Sequence, residues 1–446
     1  MPRLFGTDGV RGAAGVDLTP ELALALATAA ADELVGDRDG GGRPLAVVGR
    51  DTRPSGEFLE SAVVAGLLAA GVDVETLGIT PTPAVAHAVA STGADLGVVI
   101  SASHNPMPDN GIKFFARGGI KPPDELEDRI EQRLGRPSSP PAGAAVGRRR
   151  DDVAEERAAA YVDHLLASLP HRLDGLRLVV DCANGAASRL APRAYRAAGA
   201  DVVVVNDDVG GYRINDGCGA THPEGLQRAV VEHGAHLGLA HDGDADRCLA
   251  VDAAGELVDG DQILAVLALA LHDRPAVPGD AVVATGMSNL GFKQAMTSRG
   301  VRVVETPVGD RYVLERMRAD GIVVGGEQSG HTILLEHATT GDGLLTGLHL
   351  AARLAESGTS LAELAGVVVR LPQVLVNVRV TDKTQAMAVL DQLGREATAQ
   401  LGDSGRVLVR PSGTEPVVRV MVEAPSEAEA RTTAETLAAA VRQDRD

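Results

Sequence analysis

Over most of its length the chain alternates short apolar runs, rich in Val, Leu and Ile, with stretches whose apolar residues recur at helical spacing. The runs 45–51, 72–78, 96–100, 176–181, 201–206, 237–242, 281–286, 301–306 and 321–327 predict strands. Helices are predicted over 19–35, 54–70, 153–168, 184–198, 223–233 and 259–272. The first helix carries its own start signal, with Thr19 as N-cap, Pro20 at the first helical position and Glu21 in the first turn. Alternating strands and helices mean largely parallel sheets covered by helices. A stretch rich in Pro, Gly, Ser and Arg, 136–152, reads as an interdomain segment. From Gln373 the texture changes: strands at 374–380, 406–413 and 417–424, with helices at 382–399 and 426–442, describe a smaller unit of antiparallel character. The expected fold is therefore three similar α/β domains (1–152, 153–255, 256–370) with mixed, mainly parallel sheets, plus a C-terminal α+β domain (371–446).

Composition narrows the partners. Aromatic residues make up only 2% of the 446 residues and Trp is absent, so the cores must be built from Ala, Val, Leu and Ile. A formal charge of −19 offers no broad basic face to a nucleic acid or an anionic membrane. Cys182, Cys218 and Cys248 are odd in number and form no CxxC pair, which predicts a reducing compartment and no structural zinc. The opening MPRLFGTDGVRG has no apolar stretch behind its charge, and the longest apolar run, 263–271, is too short to span a bilayer. A cytoplasmic protein is expected.

Candidate chemistry lies in four polar loops. The strand 96–100 stops at Ser101-Ala102-Ser103-His104-Asn105-Pro106, and Pro106 cannot continue it, so Ser103 falls on a tight loop at the strand's carboxyl end. Ligands bind at that edge in open α/β sheets. Asp242, Asp244 and Asp246, spaced two apart after another strand, can converge on one hard cation such as Mg²⁺, with Arg247 balancing charge. Arg247 stands where a calcium-binding EF-hand loop requires Gly, and Ala253 where it requires Glu, which argues against that reading. Glu327, Ser329 and His331 alternate within GGEQSGH and could line a groove with hydroxyl-reading groups. Arg410, Ser412, Gly413 and Thr414, with Arg419 close behind, supply guanidinium groups, hydroxyls and backbone N–H groups for one anion. A Walker A sequence, a dinucleotide glycine fingerprint and a G-x-S-x-G elbow are all absent from the sequence.

Together and in this order, SHNP, DGDADR, GEQSGH and RPSGTEP closely resemble the serine, metal, sugar and phosphate loops of the α-D-phosphohexomutases. FGTDGVRG, VGDRYV (308–313), the Gln of GEQSGH and GDGLLT (341–346) point within that family to the branch acting on glucosamine phosphates. A phosphomannomutase or phosphoglucomutase is the near alternative, and a metal-dependent sugar phosphatase a more remote one. The resemblance implies four domains around a central cleft and interconversion of glucosamine 6-phosphate and glucosamine 1-phosphate through a phosphoserine and a bisphosphorylated sugar, serving cell-wall precursor synthesis. It implies that Ser103 carries the phosphoryl group and, with Asp242, Asp244 and Asp246, binds one Mg²⁺ per active site. By the same resemblance Arg247 contacts the transferring group, Lys113 and Arg11 line the cleft, Glu327 and Ser329 read sugar hydroxyls, and His331 is a possible proton carrier. Arg410, Ser412, Gly413, Thr414 and Arg419 would hold the phosphate that is not reacting. A sugar bisphosphate such as glucosamine 1,6-bisphosphate is the implied activator. The implied partner is a phosphosugar, without nucleic acid or membrane; a homodimer is possible, and a kinase or self-phosphorylation would first load Ser103. Ala245 departs from the Gly common in the family's metal loop.

Overall fold

The strand Leu96–Ile100 is buried at every position because its sheet is covered on both faces. Val98 and Ile100 pack with Val48 against Leu26, Ala30, Leu59 and Val63 of the helices Pro20–Val35 and Gly56–Ala69. Val99 points the other way with Val47, toward Val85, Val89 and Phe115. Two apolar faces turn a period-two strand into an unbroken apolar run. With few aromatic side chains to fill space, the covering helices come close together: a Cβ on Gly66 would meet the Leu24 carbonyl oxygen at 2.6 Å.

The structure is a computed structural model that describes residues 3–6, 8–35, 42–136, 141–274, 279–412 and 416–442. It divides into two units. Unit 1, Met1–Gly286 and Val301–Gly366, holds three sheets. The first runs Val10–Ala13, Asp109–Ala116, Leu96–Ile100, Leu45–Arg50, Asp73–Ile79, Arg149–Arg150; the second Leu257–Val258, Cys248–Asp252, Leu237–His241, Arg177–Asp181, Asp201–Val205. The third runs Arg302–Thr306, Ala281–Thr285, Val324–Gly326, Thr332–Leu334. Each has a parallel centre and an antiparallel return strand, so the sheets are mixed and mainly parallel.

Those return strands are where the sequence pattern fell short. Asp109–Ala116, Cys248–Asp252 and Thr332–Leu334 pair back onto Leu96–Ile100, Leu237–His241 and Val324–Gly326. No helix separates the members of each pair, so no change of period marks them in the sequence. Val10–Ala13, which begins inside the opening MPRLFGTDGVRG where no strand is predicted, also forms a strand, and Arg149–Arg150 of the expected linker pairs with Val74 and Glu75. Residues 39–41, within the run Asp39-Gly40-Gly41-Gly42, and 137–140 of that linker lie outside the described residues.

Unit 2, Met287–Gly300 and Val367–Asp446, carries the antiparallel sheet Gln373–Arg379, Val417–Glu423, Arg406–Pro411. Val418, Val420 and Val422 pack with Leu390 of the helix Lys383–Leu401 and with Ala430 and Leu437 of the helix Glu427–Arg442. Fully buried Glu423 joins the two stretches of this unit, accepting hydrogen bonds from Arg406 Nε at 2.7 Å and from the Leu290 backbone N–H at 2.9 Å. Among the described residues no helix is long and apolar enough to cross a membrane.

Candidate active site

Three of the four sequence-predicted loops occupy equivalent places: each joins a central strand to its antiparallel return strand, as 101–108, 242–247 and 327–331. In the first, Ser103 adopts the left-handed region with φ 53°. Its Oγ donates to Asp242 Oδ2 at 2.5 Å and lies 3.4 Å from His104 Nδ1. Ser101 is engaged elsewhere, accepting the Ser103 backbone N–H at 2.9 Å and donating to Asp51 at 2.6 Å.

Asp242, Asp244 and Asp246 bring carboxylate oxygens within 4.8 Å of one another, all buried. Burial, then the charges of Asp246 and Asp244, push the Asp242 carboxyl up to about 8. Burial also opposes ionisation of Asp246, but Lys113, His331 and Arg247 outweigh it and hold that carboxyl far below its usual range. Lys113, 2% exposed, reaches Asp244 at 2.8 Å and Asp8 at 2.6 Å. Asp244 Oδ1 and Asp246 Oδ1 are buried and have no hydrogen-bond partner. An orphaned buried acceptor costs about 1–3 kcal/mol, more when charged, so two of them facing a third carboxylate fit a hard cation with oxygen ligands.

Around this triad charges alternate in a closed circuit. Asp8 bridges Lys113, Arg11 and Lys121; Lys121 pairs with Asp310; Asp310 and Asp246 flank His331 at 3.5 and 3.7 Å; and Asp246 returns to Lys113 at 3.7 Å. The Gly341 N–H donates to His331 Nε2 at 3.0 Å, which places the neutral ring's proton on Nδ1, toward Asp246. Burial opposes a charged ring, yet Asp246 and Asp310 raise its pKa. The backbone donor and the two carboxylates thus pull the ring toward opposite protonation states. His104 is held neutral, down to about 4, by burial and then by Arg247 and Arg11.

Above lies a cavity of about 440 Å³ lined by Asp8, Arg11, His104, Arg247, Glu327 and His331 among others, within the size range of small-ligand sites. Glu327 Oε1 accepts the Gly309 N–H at 3.0 Å, and its Oε2 faces Ser329 Oγ at 3.4 Å. In unit 2, Arg410 and Arg419 are direct cross-strand partners. Burial and the Arg419 charge lower the Arg410 pKa. Like charges placed opposite each other destabilise a sheet, so the pair is suited to an anion. The Ser412 N–H bonds the Val417 carbonyl at 2.9 Å, whereas Gly413 and Thr414 lie outside the described residues.

The chain matches the phosphoglucomutase/phosphomannomutase family in four consecutive segments: alpha/beta/alpha domain I over residues 2–140, domain II over 159–255, domain III over 259–370 and the C-terminal domain over 375–440. It is 64% identical to a phosphoglucosamine mutase of Frankia casuarinae, over 99% of this chain and 98% of that one, and 62% identical to one of Streptomyces griseus, over 99% of both. The chain belongs to the phosphoglucosamine mutase family. Among solved structures it resembles a phosphoglucomutase/phosphomannomutase family protein of Burkholderia thailandensis, with a TM-score of 0.82 at 28% identity, covering 99% of this chain and 97% of that one. It shares the fold of an Aspergillus fumigatus N-acetylphosphoglucosamine mutase solved with GlcNAc-6P and magnesium, with a TM-score of 0.68 at 20% identity, covering 99% and 95%.

Beyond the loops by which this phosphoglucosamine mutase family is recognised, the site contains residues that sequence reasoning passed over. Asp8, Lys121 and Asp310 complete the charge circuit, and Thr82 donates to Asp244 Oδ2 at 2.6 Å. Asp8 and Asp310 sit inside quoted motifs, FGTDGVRG and VGDRYV, so their carboxylates were visible but lacked a partner along the chain. Lys121 and Thr82 carry no local signal. Ala245, the departure from Gly, has φ 59°, the conformation for which Gly is the usual residue.

Proposed function

We propose that the chain interconverts glucosamine 6-phosphate and glucosamine 1-phosphate as an intramolecular phosphotransferase, through phosphorylated Ser103 and a bisphosphorylated sugar. The observation that carries this reading is the Ser103 hydroxyl bonded at 2.5 Å to one carboxylate of a buried triad, two of whose oxygens lack a hydrogen-bond partner. Asp242, Asp244 and Asp246 are the residues that would hold Mg²⁺, and a bound Mg²⁺ supplies positive charge where phosphoryl transfer concentrates negative charge.

The chain's own groups do the rest. Arg247 contacts the phosphoryl group being transferred, while Arg11 on the cavity wall and Lys113, held by Asp8 and Asp244, add positive charge to the cleft. As the P–Oγ bond of phosphoserine 103 breaks, a P–O bond forms to a sugar hydroxyl; the hydroxyl gives up its proton to the network that includes His331, and the freed Ser103 Oγ takes up a proton in exchange, so that serine is restored as the alcohol. Glu327 and Ser329 orient the sugar by its hydroxyls, while Arg410, Ser412, Gly413, Thr414 and Arg419 bind the other phosphate. Turning the bisphosphorylated sugar over presents that second phosphate to Ser103, regenerates the phosphoenzyme and releases the isomer. A bisphosphorylated sugar such as glucosamine 1,6-bisphosphate primes Ser103, and a cytoplasmic supplier of cell-wall precursors is the setting that fits.

Side-by-side assays of glucosamine 1-, glucose 1- and mannose 1-phosphate with Mg²⁺ and the cognate bisphosphates test the reading. The amino sugar should be preferred, and Ser103→Ala should lose almost all turnover while still binding phosphosugar. A clear preference for either neutral sugar would overturn the substrate assignment; near-normal turnover in Ser103→Ala would overturn the phosphoserine.

A further inference from the structure

One fully buried cation has no part in the chemistry above. Arg53, at 0% exposure, follows the strand Leu45–Arg50, and all five of its N–H donors are engaged. Nε donates to Asp51 Oδ2 at 2.9 Å; one terminal nitrogen donates to the carbonyls of Pro106 at 2.5 Å and Asp109 at 2.9 Å, the other to those of Ser103 at 3.1 Å and Asn105 at 2.7 Å. Asp51, equally buried, also accepts the Arg53 backbone N–H at 2.9 Å and the Ser101 hydroxyl at 2.6 Å, and that hydroxyl accepts the Ser103 N–H.

These bonds converge on a strained residue. A non-glycine side chain persists in the left-handed region, as Ser103 does at φ 53°, only where its surroundings over-determine it. Four carbonyls of 103–109 gathered on one guanidinium supply that constraint. The loop that follows the strand Asp201–Val205 adds to it: Asn215 Nδ2 donates to two of the same carbonyls, Ser103 at 2.8 Å and Asn105 at 3.1 Å. A Cβ on Gly243 would lie 2.5 Å from the Ser103 carbonyl oxygen, so the metal loop abuts the same peptide.

We infer that Arg53, anchored by Asp51, is a positioning residue for phosphoryl transfer, fixing the strained 103–109 loop so that Ser103 Oγ stays aimed at the carboxylate triad through both halves of the reaction. The inference rests on the reading of Ser103 as the phosphoryl carrier. Only a planar fork of five donors can hold four carbonyls and a carboxylate at once; the three donors of Lys cannot.

The test compares wild type, Arg53→Lys, Arg53→Ala and Asp51→Asn in the full chain, assayed with glucosamine 1-phosphate, Mg²⁺ and bisphosphate after circular dichroism and melting have shown which variants are folded. In folded Arg53→Lys, kcat should fall by about 100-fold, the scale expected when a reacting atom is misplaced by about 1 Å, with KM unchanged. Millimolar guanidinium should raise kcat of Arg53→Ala and leave wild type unaffected. Should Arg53→Lys not fold, Asp51→Asn, which keeps the shape of the anchor, should show the same fall in kcat at constant KM. Wild-type kcat in a folded Arg53→Lys or Asp51→Asn, or an activity loss that matches the unfolded fraction, overturns the inference. Full turnover by Ser103→Ala overturns the phosphoserine reading and this inference with it, whereas dependence on Ser103 with an unimpaired Arg53→Lys overturns the inference alone.

Discussion

Ala245 and Ser103, one in the metal loop and one in the serine loop, share a left-handed backbone at φ 59° and 53°. At Ala245 the Cβ costs about 1 kcal/mol or somewhat more relative to Gly, offset by its carbonyl accepting the Gly343 N–H at 3.0 Å and its own N–H reaching the Asp242 carbonyl at 3.0 Å. A different kind of residue-scale tension sits at His349. Its Nε2 lies 3.0 Å from Ser168 Oγ and its ring packs 5.4 Å from that of His337. Burial, then the charges of His337 and Arg274, push its pKa down to about 3. A base with a depressed folded-state pKa leaves stability untouched above the unfolded value of about 6.5 and erodes it below, because the unfolded chain takes up the proton first. Between about pH 6.5 and pH 3 this group should therefore cost stability progressively, on the order of 3 kcal/mol by pH 4. Urea unfolding at several pH values should show His349→Gln with a shallower acid loss than wild type; parallel losses would exclude the assignment.

At the scale of elements, the recurrent device is a functional loop between a strand and its antiparallel return. Hydrogen-bonded strands on either side fix the loop's ends, so the carboxylates of 242–246 start from a rigid base despite their repulsion. The same reasoning applies to Arg410 and Arg419, set opposite each other by the ladder rather than by attraction. Arg410→Met should remove that repulsion along with a proposed phosphate ligand. Charge-assisted hydrogen bonds contribute about 1.5–3 kcal/mol each, so KM for phosphosugar should rise by at least about tenfold. The melting temperature without ligand should stay the same or rise. Steady-state kinetics beside calorimetry checks both, and an unchanged KM would remove Arg410 from the phosphate site.

At the scale of unit 1, segments distant in sequence meet through buried ions. Arg311 of the helix Asp310–Asp320 pairs with Glu127 of the helix Asp124–Arg133 at 2.5 Å, and also with Asp124; Arg3 reaches the same acidic helix. Arg311 and Glu127 are 5% and 3% exposed. Glu127→Gln removes the buried carboxylate and leaves Arg311 with only the more exposed Asp124, so the variant should destabilise unit 1 by about 3 kcal/mol. Replacing Asp128, whose pair with Arg3 is solvent-exposed, should cost under about 1 kcal/mol. Urea melts of the two variants should separate accordingly; equal costs would mean that burial does not govern this junction. Asp310, next to Arg311, carries the circuit of Lys121 and His331, so the junction also sets the cavity wall.

The sequence by itself determined the fold class and the four loops, because apolar periodicity and turn residues are local properties and SHNP, DGDADR, GEQSGH and RPSGTEP are contiguous. By resemblance it also implied that Ser103 carries the phosphoryl group, and in the tertiary structure the neighbouring Ser101 hydroxyl is engaged with Asp51 and the Ser103 N–H. The return strands stayed hidden because strand pairing is a contact between segments, and nothing in Asp109–Ala116 announces its partner. What Asp8, Lys121, Asp310, Thr82, Asn215 and Arg53 do was decided by tertiary structure alone. Arg53 finds its carbonyls about fifty residues away, and Asn215 finds two of the same ones 112 and 110 residues away. A hydrogen bond or an ion pair depends on distance in space, and only the folded chain sets that distance.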